Sequence, residues 1–530
     1  MARRDAGVEH YGVVRVMLVL LVGMLAIPTA GRVLRIVADF PSAVELTYPA
    51  SVDVYVAREF QHGRPIYRDF REPPHVPALY GPLLYVAPGV VARLVAADEL
   101  GIFKIGRAMC LLSTAGALVI VGVLVYRYFG AGWWITLLMV GLLATAKIMW
   151  PWGMSFRADA PELFLDLAGL AIFMRWKHDQ RRYAAVAAFV LAFAFKQSAV
   201  VGPVAVVLSM WLGGRRRDAL WFAGVAAAAY GGAFLVMNAL TDGLYFMNGY
   251  RGMAANVTPG NLATVVAGGA LVKCGAPLAL GAVGALRSWQ TRRPDVVSVF
   301  FALAFLAACA GTVRDGSGDN YFIKPLALAC ILGGREIARW LGRCDAATGG
   351  ELSGCTAHAD ATTATDAAAR RSSAPAIVAL LFLLVYVTPP AAARLVVGYG
   401  GLMDRVAGRR ALSDAQLAFL RGSAARLDAL GGPVVCEDAS LALYCRNALM
   451  MDTLTLTGLA DQGVFDDTAV VAMIRSRTLA AVVLKRPLAR GEVRKYQSTD
   501  WVRRAWLDAM ADAGYEPLPD GPRYTYVPPR

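Results

Sequence analysis

Charged residues are scarce in this chain, 17% of 530 against 57% hydrophobic. That balance excludes a soluble multidomain protein of the same length. Acids are the scarcer sign, 39 Asp and Glu against 53 Lys and Arg, for a formal charge of +14. In a membrane protein this excess marks Lys and Arg packed into cytoplasmic loops rather than a nucleic-acid surface, so no nucleic-acid partner is expected. The eight cysteines include no CxxC spacing, and no metal cluster or other cofactor site is expected. The need for a loosely held divalent ion stays open. Cys110, Cys274, Cys309 and Cys330 lie in apolar runs, and Cys344 and Cys355 lie in a polar stretch. Only Cys436 and Cys445 share a region of soluble composition, where an oxidising compartment permits a disulfide and a reducing one leaves two thiols. There is no clear internal repeat. The first apolar run also lacks a small-residue cleavage site, so it reads as an uncleaved span.

What the chain does have is membrane composition, with 11 Trp, 20 Tyr and 21 Phe suited to interfacial belts. The mean hydropathy of +0.48 leaves room for a polar portion. Apolar runs cover Val13 to Ile27, Ala108 to Tyr126, Ala131 to Trp150, Ala160 to Met174, Tyr183 to Phe195, Val200 to Leu212, Ala219 to Leu240, Leu262 to Leu286, Val296 to Thr312, Tyr321 to Leu332 and Ala374 to Val397, eleven in all. Basic clusters at Arg175 to Arg182, Arg215 to Arg217, Arg287 to Arg293 and Arg335 to Arg343 fall in alternate loops, as the positive-inside rule requires. Two such clusters flank Tyr183 to Leu212, which makes that run a hairpin with Lys196 at its outer tip. The same parity keeps Leu79 to Ala97 on the outer side as a juxtamembrane or re-entrant helix.

The expected architecture is an all-α polytopic membrane bundle of about eleven transmembrane helices, with a long first outer loop and a small C-terminal α/β soluble domain. Residues 1–343 form the catalytic bundle with outer loop 38–105, residues 344–373 a disordered cytoplasmic linker, residues 374–397 the last span, and residues 398–530 the outer α/β domain. In that domain Pro433 to Cys436 and Leu479 to Leu484 read as strands, and Tyr524 to Val527 as an edge strand. Ala439 to Leu449, Thr468 to Ser476 and Trp501 to Ala513 read as helices. An N-terminus in the cytoplasm of the inner membrane and a periplasmic or extracellular C-terminal domain follow from the parity.

Candidate chemistry gathers on the outer side: Glu45, Asp53, Arg157, Asp159, Lys196, Arg314, Asp315, Asp319 and Lys324 all fall there. Charges near membrane depth are costly, and acids mixed with bases suit a site that holds an anion and moves a proton. Asp159, Glu162 and Asp166 share one helix face by their spacing. Lys196 precedes Gln197 and Ser198, a cation with two hydrogen-bonding neighbours suited to phosphate. The loop Gly316 to Tyr321, with Asp319 and Asn320, has glycines that permit close approach to a ligand.

The phrase Ala57, Arg58, Glu59, Phe60, then Gly63 to Asp69, then Tyr80, Gly81, Pro82, Leu83, resembles the C-type membrane glycosyltransferases. The likeness is to the dolichyl-phosphate-mannose protein mannosyltransferase and aminoarabinose transferase group. Arg157 with Asp159, Lys196 with Gln197, and Gly318 to Tyr321 add to it. The resemblance implies a transferase that moves a sugar from a polyprenyl-phosphate carrier to a lipid, glycan or protein acceptor at the outer membrane face. It implies an acidic base in the first outer loop and cations for the lipid phosphate, a division of labour that suits the chemistry. The family's acid would fall on Pro49 or Ala50, so the nearest carboxyls, Glu45 and Asp53, take the base role beside Asp159. Gly81 stands where the aminoarabinose enzymes carry Lys. Phosphate contact then falls to Arg58, Arg157, Lys196 or Lys324, with Gln197, Asp319, Asn320 and Tyr321 as further binding residues. A transporter or lipid flippase, and a non-catalytic relative in envelope glycan assembly, are the alternatives.

Overall fold

The computed structural model describes residues 2–253, 257–291, 294–314, 317–341, 374–485 and 502–529. The expected linker at 344–373, the basic residues Arg292 and Arg293, and Asp315 lie outside the described residues. The chain folds as a multi-pass helical membrane protein with a small sheet near its C-terminus. Among the described residues, four helical segments are long and apolar enough to cross a membrane: Gly12–Asp39, Glu99–Tyr128, Arg216–Leu240 and Pro259–Gln290. Some of the other apolar runs give shorter helices. The run Ala131 to Trp150, for example, splits into Trp133–Thr145 and Met149–Met154.

Helix directions are fixed by ion pairs at the ends. Arg182 reaches Asp218 at 3.1 Å, and Arg215 donates to the Lys177 carbonyl at 2.9 Å. These contacts join the start of the helix Ala184–Phe195 to the end of Val201–Leu212, so the two form an antiparallel pair with Lys196 at the tip. Arg335 bonds Asp295 at 2.5 Å, and Arg287 lies 3.3 Å from Glu336, again at the ends remote from Lys196 and Lys324. One end of the bundle therefore carries the arginine clusters. The other carries the first long loop and the C-terminal unit.

Within the first long loop, the run Leu79 to Ala97 yields the helix Leu83–Leu94. Its 12 residues span about 18 Å, too short to cross a bilayer. It buries Leu84, Tyr85, Pro88 and Ala92 and exposes Val90, Val91 and Leu94. Its partner is the helix Ala50–Gln61, where Ala50, Asp53, Val54 and Ala57 are buried.

The helix Ala374–Asp428 continues without a break through Val397, where the composition changes. Beyond it lie β1 (Val434–Cys436), β2 (Ala448–Leu449), β3 (Ala481–Leu484), β4 (Glu516–Pro517) and β5 (Tyr524–Val527), in the spatial order β2-β1-β3-β5-β4. β1 runs parallel to β2 and β3, whereas β5 is antiparallel to β3 and β4. Two expectations need correction. Tyr524–Val527 is an interior strand paired on both sides, and the edge falls to the two-residue β4, where Pro517 is tolerated. The expected helix Ala439 to Leu449 stops at Tyr444 and gives way to β2. The cause is Asp428, whose carboxylate accepts from the Arg446 and Asn447 backbone N–H groups and draws the chain into an extended path. The Cys445 thiol donates to the same carboxylate at 3.0 Å, and Cys436 and Cys445 are both free thiols.

The sheet is covered on both faces, so β1 and β3 read as continuous apolar runs. Val434, Cys436, Ala481 and Val483 pack with Val54, Tyr67, Tyr80 and Phe156 from the first loop and bundle, while Val435, Val482 and Leu484 pack with Phe70, Leu456 and Trp506. The C-terminal unit and the first long loop thus share two cores.

Candidate active site

The site is built where several helix ends meet. The helix Asp159–Arg175 presents Asp159, Glu162 and Asp166 on one buried face, at 5%, 4% and 0% exposure. Two ammonium groups from other elements interleave with them. Lys196, at the hairpin tip, lies 2.7 Å from Asp159 and 3.8 Å from Glu162. Lys324, in the first turn of Ile323–Trp340, lies 2.8 Å from Glu162 and also pairs with Asp166. Asn320 Nδ2 donates to Asp159 at 2.8 Å, and Ser198 Oγ donates to Glu162 at 2.8 Å. Buried charges persist when they are paired, and each of the three carboxylates here has an ammonium partner.

Arg157, 6% exposed, extends the network toward the first loop. Its guanidinium donates to the Tyr48 carbonyl at 3.2 Å and to the Tyr80 hydroxyl, and sits 3.8 Å from Asp159 and 4.0 Å from Asp53. It stacks over Tyr80 and Trp152 at 5.0 and 5.6 Å. Asp53 is 2% exposed, and its Oδ2 has no hydrogen-bond partner among the described residues. Burial pushes its carboxyl up to about 8, with Arg157 pulling down and Asp452 and Asp159 pushing up.

A cavity of about 360 Å³ opens beside this network. Its lining combines the polar residues Asp159, Glu162, Lys196, Gln197, Arg314, Asn320, Tyr321 and Lys324 with the apolar residues Leu163, Val201, Ala304, Ala307, Ala308 and Ile323. Lys196 stands over the Tyr321 ring at 5.2 Å. Asp159, Lys196, Gln197, Asn320, Tyr321 and Lys324 therefore come together on one cavity, with Arg157 and Asp53 adjoining it through Asp159.

Three expected residues are engaged elsewhere. Arg58 donates to Glu99 at 3.1 Å and to the Leu443 carbonyl at 3.0 Å, tying the helix Ala50–Gln61 to its neighbours, and it does not line the cavity. Asp319 accepts from the Trp152 indole at 2.8 Å and pairs with Lys273, outside the cavity wall. Glu45 accepts the Ser51 backbone N–H at 3.1 Å and faces Lys485 and Asp438 of the C-terminal unit; burial pushes it up to about 7. Among the described residues no group of three or more His, Cys, Asp or Glu is arranged to hold a metal ion.

The motif at Gly81 has a packing reason. A Cβ there would lie 2.2 Å from the Ala194 carbonyl oxygen, and the Gly81 N–H donates to the Phe195 carbonyl at 3.1 Å. Together with the Gln197 bond to the Leu79 carbonyl at 3.1 Å, this pins the loop to the tip that carries Lys196. Tyr48 and Asp452 join the network without any motif to announce them, and Glu162 enters through the shared helix face.

The fold is shared with solved structures of other membrane proteins, at low sequence identity. The chain is similar to the aminoarabinose transferase ArnT from Cupriavidus metallidurans bound to undecaprenyl phosphate, with a TM-score of 0.51 at 17% identity over 88% of this chain and 92% of that one. The apo ArnT structure gives 0.51 at 15% identity, covering 86% and 91%. The archaeal oligosaccharyltransferase AglB from Archaeoglobus fulgidus, in complex with an inhibitory peptide and a dolichol-phosphate, gives 0.51 at 12% identity, covering 87% and 69%. No family model and no curated protein matches the chain.

Proposed function

We propose that this protein is a glycosyltransferase that takes a sugar from a polyprenyl-phosphate carrier and passes it to a hydroxyl-bearing lipid, glycan or protein at the outer face of the inner membrane. The observation that carries the reading is one cavity lined both by the cations Lys196, Lys324 and Arg314 and by apolar residues such as Val201, Ala304 and Ala308, with Arg157 and the under-bonded Asp53 nearby. The cations suit a phosphate and the apolar lining a prenyl chain. The placement of the arginine clusters at the far bundle end supports an N-terminus in the cytoplasm, eleven spans, and a C-terminal domain on the outer side.

In the reaction the acceptor oxygen forms a bond to the anomeric carbon as its proton passes to Asp53. The bond from that carbon to the phosphate oxygen breaks, and its electron pair leaves with the polyprenyl phosphate. Arg157, Lys196 and Lys324 stabilise the charge on the departing phosphate, the term that preorganised cations supply in a water-poor site. Asp159 and Glu162 hold the two ammonium groups in place until the phosphate arrives.

The test is consumption of a polyprenyl-phosphate sugar by the purified protein in liposomes. Release of polyprenyl phosphate and glycosylation of an added acceptor support the reading. Movement of intact donor between leaflets without cleavage refutes it and supports a flippase.

A further inference from the structure

Asp452 belongs to the C-terminal domain, yet it lies against the reaction site. It caps the helix Thr453–Asp461, accepting from the Thr455 N–H at 3.1 Å and the Thr455 hydroxyl at 2.6 Å. Such a cap is ordinarily half in water. Here the side chain is 0% exposed, because the Tyr48 hydroxyl also donates to it across 404 residues of sequence. The Asp452 N–H in turn donates to the His75 carbonyl at 3.3 Å, and Met451 pairs with His75 in a short β-bridge. Tyr48 itself is placed one turn before Asp53, and its carbonyl receives Arg157 at 3.2 Å. The chain of contacts therefore runs from Asp452 to Tyr48 to Arg157, with Asp53 beside it.

We propose that Asp452 is a positioning residue of the catalytic site, holding Tyr48 so that its carbonyl aims the Arg157 guanidinium between Asp53 and Asp159. The C-terminal domain then completes the site rather than decorating it. A guanidinium with five donors turns readily among carboxylates, and a fixed carbonyl selects one orientation. The groups facing Asp53 are Arg157, Asp159, Asp452 and the Tyr85 hydroxyl, so the charge on Asp452 also bears on its proton.

This inference rests on Asp53 as the proton acceptor. Two variants separate positioning from simple domain docking. Asp452→Asn keeps the helix cap and an acceptor for Tyr48 but removes the charge. Tyr48→Phe removes the bond and leaves the cap. Positioning predicts that Tyr48→Phe lowers kcat about tenfold with little change in KM for the lipid-linked sugar. It predicts that Asp452→Asn moves the acidic limb of the pH profile to lower pH by roughly half a unit, since a like charge near Asp53 is gone. A docking role alone lowers Tm but leaves kcat and the limb of the folded fraction unchanged, and that result overturns the proposal. If Tyr48→Phe fails to fold, the limb of Asp452→Asn decides. Asp53→Asn serves as the control. Wild-type activity there refutes the base assignment, whereas its loss alongside unmoved Asp452→Asn and Tyr48→Phe profiles refutes the positioning role alone.

Discussion

Replacing Asp53 by Asn removes basicity from the proposed reaction while keeping shape. The Oδ2 oxygen has no hydrogen-bond partner among the described residues and lies 4.0 Å from Arg157, so its lone pairs are not committed to another donor. Loss of a positioned general base lowers the rate by about 10² to 10⁴. The pH profile gives a second signature. A base works only when ionised, and burial pushes this carboxyl up to about 8. Activity of the wild type should therefore fall as pH drops below about 8, with roughly a tenth of the sites ionised at pH 7 and half at pH 8, a rise of about fivefold across that unit. The assay follows polyprenyl phosphate released from a lipid-linked sugar in proteoliposomes between pH 6 and 9.5. The Asn variant should be slow and flat across that range. A wild-type limb near 8 that persists in Asp53→Asn refutes the assignment, and a limb lost only in Glu45→Gln moves the role to Glu45, whose carboxyl is pushed up to about 7.

Lys196→Ala should abolish donor consumption and also destabilise the fold by about 3 kcal/mol, because it leaves Asp159 and Glu162 buried beside one cation fewer. The double change Lys196→Met with Asp159→Asn should recover thermal stability without recovering activity, and recovery of both would show that the pair is structural. Arg58→Ala should lower stability by about 1 to 2 kcal/mol through its lost bonds to Glu99 and the Leu443 carbonyl, at an unchanged KM for the donor. A raised KM would return Arg58 to the phosphate site. Gly81→Ala should shift the loop off the hairpin tip, since its Cβ meets the Ala194 carbonyl at 2.2 Å, and melting scans should show a loss of several degrees.

The membrane class, the long first loop and the clustering of Asp159, Lys196, Asn320 and Lys324 were legible because each rests on a local rule. Apolar length, the alternation of basic loops and helical spacing are properties of short windows, and they carry the side of the membrane on which a residue falls. They do not carry which partner a charge chooses once there. Arg58 and Arg157 look alike as sequence, each next to or near an acid in an outer segment. Only the packing of the helix Ala439–Tyr444 against the first loop commits Arg58 to the Leu443 carbonyl and leaves Arg157 among Asp53 and Asp159.

The same limit explains why the C-terminal domain reads as an appendage in sequence although in structure Asp452 reaches Tyr48 beside Arg157. Its strand signals were local, and β1 and β3 were evident from Val434, Val435 and Ala481 to Leu484. The position of Tyr524–Val527 inside the sheet depends on a two-residue partner, β4, that carries no periodic signal at all. Asp452 offered only the pattern of a helix cap, which a solvent-facing helix uses equally well. Its burial arises from a hydroxyl 404 residues away and from two hydrophobic cores that neither the first loop nor the C-terminal unit could bury alone. Residues that close such an interface are shared between distant segments. The proposed chemistry of Asp53 and Arg157 would then depend on a domain whose sequence contains no catalytic motif, and deleting it should expose Tyr48, Phe70 and Tyr80.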